Sequence, residues 1–268
     1  MNKGPSPGFQ WNSADYAKHS TAQFQWAREL IAKLQLRGDE AVLDIGCGDG
    51  KVTALLAQAT PHGHVIGIDS SPDMITLARR SSRAPNLEFV EMDARALMFQ
   101  NSFDIVFSNA VLHWIKDHRA LLRGVRASLK RGGRILFQMG GRGNAQEVFM
   151  AFEKMTVRSD RWKSFFANFE IPYGFYGVEE YTQWLREAGL EPHRVELISK
   201  DMVYPHREGM AGWIRTTWLP YTERLPSNLH RSFIDEMIET YLRDHPAAAD
   251  GTIHTKMVRL EVEATNPY

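Results

Sequence analysis

Along this chain, short runs of apolar residues alternate with stretches in which apolar positions recur every three or four residues. Ala41–Ile45, His64–Asp69, Leu87–Met92, Phe103–Ser108 and Arg134–Met139 are runs of five or six residues and predict buried strands. Between them, Lys51–Ala59, Pro72–Ser81 and His118–Leu129 carry the helical spacing, with Ser71 as an N-cap and Pro72 at the first helical position. The pair Gly132–Gly133 is expected to stop the last of these helices before the fifth strand. Short strands separated by helices imply βαβ crossovers and a mostly parallel sheet covered on both faces. Such sheets bind ligands beyond the carboxyl ends of their strands, where the strand order reverses.

The flanks are less regular. Met1–Gly8, with its prolines and glycines, reads as a frayed terminus. In Ser13–Leu36 the residues Tyr16, Phe24, Ala27, Leu30, Ile31 and Leu34 fall at helical spacing, and Ser13 or Asp15 could cap the start. Beyond Gly140, Asn144–Val157 and Val178–Ala188 look helical, while Arg194–Ser199 and Met257–Glu263 look like strands. Between those strands lies Pro205–Leu225, rich in Trp, Tyr, Pro and Arg, then an amphipathic stretch near Asn228–Leu242. The expected plan is an N-terminal helical cover (1–36), a core (37–200), an aromatic insert acting as a lid (201–249) and a last strand completing the core (250–268).

Composition narrows the function classes. With 43% apolar and 24% charged residues over 268 positions, the chain is ordinary globular material. Lysine plus arginine (32) cancels aspartate plus glutamate (32), so no bulk field favours a nucleic-acid backbone or an anionic membrane. One cysteine excludes a disulfide framework and a multi-cysteine metal site, and the ten histidines are scattered, so no metal is expected. There is no basic leader followed by an apolar core and no run of eighteen apolar residues, which predicts a soluble cytoplasmic protein. A monomer or homodimer is expected. The closing Asn266–Pro267–Tyr268 spells the core of a DNA amino-methylation signature, but at the wrong place in the chain, so it is discounted.

The sharpest chemistry lies in Val42–Ala57, where Gly46-Cys47-Gly48-Asp49-Gly50 turns directly from strand to helix. Glycines at alternate positions let the backbone bend and let a ligand lie against the peptide groups. A plain strand–helix turn is the simpler reading. A dinucleotide fingerprint needs G-x-G-x-x-G, and a carboxylate between glycines is poorly suited to a pyrophosphate. An acid-flanked turn better suits a ligand that carries positive charge. Asp69 closes the second strand, where a carboxylate accepts from a ribose diol, and Asp93 closes the third, within reach of an adenine amine. Helix capping is the simpler role for both.

The order DIGCGDG, GIDSSPDMITLAR (Gly67–Arg79), VEMDA (Val90–Ala94), FDIVFSNAVLHWIKD (Phe103–Asp117) and LKRGGRILFQ (Leu129–Gln138) resembles the class I S-adenosylmethionine-dependent methyltransferases. The resemblance covers Arg37–Gly140 and implies a Rossmann-like, doubly wound α/β fold with a mostly parallel seven-stranded sheet and a helical insert before the last strand. It implies S-adenosyl-L-methionine as cofactor and S-adenosyl-L-homocysteine as product. Asp44, Gly46, Cys47 and Gly48 match the positions that hold the methionine half. Asp69 matches the ribose-binding acid, Ser70 and Met74 lie beside the nucleoside, Asp93 and Ala94 match the adenine contacts, and Asn109 matches the residue facing the transferring methyl.

The acceptor is read from the loops. Methyl transfer to an anion needs positioning more than a base, and near-attack placement can be worth ~7–11 kcal/mol. His113 and Trp114 follow the fourth strand and should line the mouth of the site. Tyr16 and Gln23 share a helix face and could cover the cofactor, while Tyr204, Trp213, Arg215, Trp218 and Tyr221 offer an arginine among rings, suited to a carboxylate. Packing or surface roles are the simpler readings of each. WNSADYAKHS, Gln23, NAVLHW, GMAGWIRTTWLPY (Gly209–Tyr221) and DGTIHTKMVRLEVEATNP (Asp250–Pro267) resemble the narrower trans-aconitate methyltransferase group, whose members esterify carboxylates of small acids. That likeness places the acceptor carboxylate at Gln23 and Trp114, with Arg215 as a further anchor; Tyr16 and Tyr204 are the other candidate substrate contacts. Two other readings stay open: an O-, N- or C-methyltransferase of a secondary metabolite with His113 as general base, and a non-catalytic cofactor-binding subunit.

Overall fold

The computed structural model describes the chain from Thr21 to Tyr268, with side chains of the first helix from Phe24 onward. Tyr16, with Ser13, Asp15 and Met1–Gly8, lies outside the described residues, as does the Gln23 side chain. The described residues form two compact units. One comprises Ala22–Arg142, Tyr173–Ile198 and Val258–Tyr268, and the other includes Gly143–Pro172 and Ser199–Met257.

The first unit holds the first five strands of the sheet whole and the larger part of its last two. Strands β1 (Ala41–Ile45), β2 (His64–Asp69), β3 (Leu87–Glu91), β4 (Phe103–Asn109), β5 (Leu129–Gly140), β6 (Glu191–Tyr204) and β7 (Ile253–Thr265) are ordered β3-β2-β1-β4-β5-β7-β6. The pairs β1–β2, β1–β4, β2–β3 and β4–β5 are parallel, and β5–β7 is antiparallel. The order reverses between β1 and β4, and the carboxyl ends at that crevice are where this architecture binds ligands. Val42, Leu43, Ile45, Ile105, Val106 and Phe107 are buried, because a parallel sheet with helices on both faces must be apolar on both.

Helices α1 (Thr21–Lys33), α2 (Lys51–Ala59), α3 (Pro72–Ser81) and α4 (His118–Ser128) match the expected spacing closely. Ser71 caps α3 by accepting from the Met74 N–H, with Pro72 at its start. The end of α4 departs from expectation. It stops at Ser128, and β5 already begins at Leu129, which pairs with Phe103 across a register shift in β4–β5. Gly132, at φ +73°, therefore bends the start of the strand instead of ending the helix. Asn266 closes this corner from the far end of β7: it is buried, and its Nδ2 donates to the Leu129 and Lys130 carbonyls at 3.1 and 3.0 Å.

The second unit is built from α5 (Gln146–Arg158), the four-residue α6 (Asp160–Lys163), and, beyond α7 (Val178–Glu187) of the first unit, from α8 (Arg207–Thr217), α9 (Leu219–Thr222) and α10 (His230–Asp244). Its interior is aromatic: Phe152 meets Phe166 at 5.0 Å and Tyr221 at 4.8 Å, and Trp218 meets Tyr221 at 4.5 Å between centroids. The expected insert at 201–249 thus shares one core with residues 143–172, which the sequence reading placed in the sheet domain. No helix among the described residues is long and apolar enough to cross a membrane.

Candidate active site

The first glycine turn leaves β1 at Ile45. The Gly46 and Cys47 N–H groups both donate to the Ile68 carbonyl, at 2.7 and 2.9 Å, so the turn is stitched to the end of β2. Gly46, Gly48 and Gly50 have φ of +75°, +53° and +79°, which glycine adopts without strain. Their surroundings differ. A Cβ on Gly46 would stand 2.3 Å from Val111 Cγ1, and one on Gly50 would stand 2.7 Å from the Phe89 ring. A Cβ on Gly48 would meet nothing within 4 Å. Gly46 and Gly50 allow the chain to pack, whereas Gly48 faces open space of the kind a ligand can enter.

Carboxylates border that space. Asp69 accepts from the Gly48 N–H at 3.0 Å through Oδ2 and from the Ser71 N–H at 2.9 Å through Oδ1. Each oxygen keeps further acceptor capacity toward a ligand hydroxyl. Burial pushes its pKa up against these hydrogen bonds. Asp44 is buried under the turn and accepts from the Thr53 hydroxyl at 2.7 Å. Burial raises its pKa to about 7, opposed by the Thr53 hydrogen bond and reinforced by the charge of Asp69. Two desolvated carboxylates side by side disfavour each other's charge, and a bound cation would restore both. The donor set and the open cradle at Gly48 therefore fit a ligand carrying an ammonium and a sulfonium.

The remaining cofactor positions divide. Cys47 is buried against Ile75, Ala78 and Phe89, and burial raises its thiol pKa far above the ordinary value, so it is packing and not a nucleophile. Met74 is buried at the start of α3, and Ser70 is exposed beside Asp69. Asp93 caps the single turn Ala94–Ala96, accepting from the Arg95 N–H at 2.8 Å and binding its guanidinium at 2.5 Å. Arg95 holds its pKa below the ordinary carboxylate value. The capping expectation thus describes what this side chain does among its neighbours. Asn109 ends β4 opposite Gln138 of β5.

After β4 the chain turns at Ala110, φ +59°, into a single turn over Leu112–Trp114. His118 fixes that turn: it is buried, with Nε2 3.0 Å from the Leu112 carbonyl and Nδ1 3.1 Å from the Tyr181 hydroxyl. The turn presents His113 and Trp114 to two rings from another part of the chain. Trp114 meets Tyr173 edge-on at 4.8 Å, and His113 lies 5.9 Å from Tyr173 and 5.8 Å from Phe175. The Gly174 N–H donates to the His113 carbonyl at 2.8 Å, which locks the two segments together. The sequence reading missed Tyr173 and Phe175, although the cluster Tyr173-Gly174-Phe175-Tyr176 was a visible aromatic signal.

His113 Nδ1 accepts from the Gly140 N–H at 3.4 Å, which leaves the ring proton on Nε2. Desolvation, the positive charge of Arg259 and His118 hold its pKa down to about 3. It is a neutral donor near pH 7 and a feeble base. Arg259 of β7 stands across from Gly140 and is buried, with its guanidinium 5.1 Å from the Trp26 ring centroid.

Two expected acceptor residues belong to the second unit. Tyr204 is buried, with its hydroxyl on the Met202 sulfur. Arg215 lies on the exposed side of α8, 3.5 Å from Glu208, while Trp213 and Trp218 turn inward. Among the described residues no group of three or more His, Cys, Asp or Glu could hold a metal.

A family model described as a methyltransferase domain matches residues 42–133, the stretch from β1 through the glycine pair. The trans-aconitate 2-methyltransferase of Shigella dysenteriae is 30% identical over 257 residues, covering 95% of this chain and 97% of that protein. The chain belongs to the S-adenosylmethionine-dependent methyltransferases. The trans-aconitate 2-methyltransferase of Methylobacterium nodulans is 29% identical over 93% of this methyltransferase and 96% of its own length. Among solved structures, the YcgJ protein of Bacillus subtilis superposes with a TM-score of 0.63 at 17% identity, over 91% of this chain and 99% of that one. A Haemonchus contortus phosphoethanolamine N-methyltransferase, solved with S-adenosylhomocysteine, gives 0.61 at 19% identity, over 96% and 57%. The fold is the class I methyltransferase fold, and S-adenosylmethionine is the cofactor of this methyltransferase.

Proposed function

We propose that this methyltransferase forms a methyl ester on the carboxylate of a small organic acid. The observation that carries the reading is the state of His113. With a pKa near 3 and Nδ1 already accepting, it offers a ring N–H and little basicity. A phenol or amine acceptor would require a base matched to neutral pH, and His113 is mismatched by several units. A carboxylate arrives as an anion and needs none. Arg259, whose charge reaches His113, favours the same kind of acceptor.

When bound, S-adenosylmethionine supplies a methyl group on a sulfonium leaving group. Asp44, Gly48 and Asp69 would hold its cationic and ribose parts, and Asn109 would face the reacting end. Trp114, Tyr173 and Phe175 exclude water beside His113, which strengthens the pull of its N–H and of Arg259 on an anion. The likeness to the trans-aconitate methyltransferase group makes Gln23 a further candidate for binding the acceptor. Relatives about 30% identical over nearly the whole chain carry the name trans-aconitate 2-methyltransferase, which makes trans-aconitate the first acid to try.

The test is incubation with methyl-labelled S-adenosylmethionine and a panel of trans-aconitate, citrate and long-chain fatty acids. Label released as methanol by mild alkali is the expected result. Label that survives alkali would move the acceptor to nitrogen, carbon or an ether oxygen.

A further inference from the structure

We propose that Arg259 is the anchor of the acceptor's carboxylate and the residue that restricts this methyltransferase to anionic acceptors. The inference rests on the ester-forming reading above and names the side chain that selects the substrate class.

Its place in the sheet is the first argument. β7 runs antiparallel to β5, and Arg259 pairs with Gly140, the last residue of β5. The N–H of that same Gly140 is the donor to His113 Nδ1. The backbone of Arg259 and the ring of His113 therefore meet at one residue, at the carboxyl edge where this fold binds its ligands.

The second argument is the pattern along β7. Arg259, Glu261 and Glu263 alternate with Leu260 and Val262, so they share one face of the strand. α1 covers that face, with Lys33 at Glu261 and Trp26, two turns earlier, over Arg259. Away from the edge, the buried carboxylate of Glu261 accepts from Lys33, Arg194 and Gln138. The run of charged residues on this face ends in a cation, Arg259, at the register where β5 ends.

The third argument is the side chain itself. Arg259 is only 6% exposed. A guanidinium held that dry against an indole ring attracts an anion far more strongly than one in water. Its planar fork can hold both oxygens of a carboxylate, and the neutral Nε2–H of His113 adds a donor that does not compete for the charge. A neutral phenol or amine would gain nothing from such a cation. Arg215, half-exposed beside Glu208, is not held dry in this way.

The test uses R259Q and R259K in the full chain. The probe is trans-aconitate, or whichever acid of the panel yields an alkali-labile ester. S-adenosylhomocysteine binding by titration calorimetry serves as the control for an intact cofactor site. For R259Q the expected result is a rise of roughly 30-fold or more in KM for the acid, a kcat change of only a few-fold, and S-adenosylhomocysteine affinity within about twofold of wild type. R259K keeps the charge and loses the fork, so KM should rise by about five- to tenfold. It carries the test alone if R259Q does not fold. An unchanged KM for the acid in a folded variant overturns the inference and leaves ester formation standing, as does a variant whose main defect is cofactor affinity. If the wild-type enzyme makes no alkali-labile ester from any acid, the ester reading fails and Arg259's role fails with it.

Discussion

Gly46 and Gly48 share a positive φ but not a neighbourhood. A methyl group on Gly46 would collide with Val111, which leads into the turn carrying His113, whereas one on Gly48 would enter open space. We expect G46A to lose roughly 2–4 kcal/mol from overpacking and strained φ, read as a clear drop in Tm. G48A should lose only about 1–2 kcal/mol from φ, yet weaken S-adenosylmethionine binding at least tenfold, measured by calorimetry. A G48A protein that binds the cofactor normally would show that the open side of the turn is not the ligand's. Sequence alone singles out all three glycines without telling these duties apart, because spacing reveals where the backbone bends and not what stands opposite. The same limit explains Asp93, which strand order places near an adenine and Arg95 claims as a cap.

At the scale of elements, α1 is tied to the sheet through Glu261. Burial alone would push its carboxyl pKa up, but hydrogen bonds from Lys33, Arg194 and Gln138 outweigh it and hold the pKa below its ordinary value. Because the folded pKa is depressed, the stabilisation is present above the unfolded pKa and is lost as pH falls through the folded one. E261Q should cost roughly 2–3 kcal/mol at pH 7, discounted because Lys33 is part-exposed, and should flatten acid unfolding below pH 5. Equal acid sensitivity of E261Q and wild type in a pH series of denaturant melts would rule this out. Most element starts were readable because their signals are local: Ser71 and Pro72 open α3, and Lys51 follows the last glycine of the turn. Where tertiary pairing decides, they were not. Leu129 enters the sheet because Phe103 is there to pair with it, whatever the glycines downstream suggest. β6 spans Glu191–Tyr204, but its alternating exposed and half-buried residues hide most of that length from an apolar pattern.

At the scale of the whole molecule, the sheet brings to one edge residues that the chain order keeps apart. The cofactor turn, Asp69 and Asn109 could be placed at the carboxyl edge from sequence, because in a doubly wound sheet that is where successive strands end. Tyr173, Phe175 and Arg259 could not, since only the closure of the loop onto His113 and the antiparallel insertion of β7 beside β5 bring them there. The aromatic insert misled for the same reason: Trp218 and Tyr221 looked like a rim for Arg215 and are core to Phe152. On the proposed reading the site holds its acceptor by charge and placement, with His113 too weak to act as a base. The direct test is kcat against pH from 6 to 9, at saturating S-adenosylmethionine and acid so that the ionisation of Asp44, near pH 7, does not enter through cofactor binding. The account predicts a flat profile, and only a few-fold loss at every pH for H113A. A profile that rises with an apparent pKa between 6 and 8 and disappears in H113A, together with a loss of ~10²–10⁴, would contradict it.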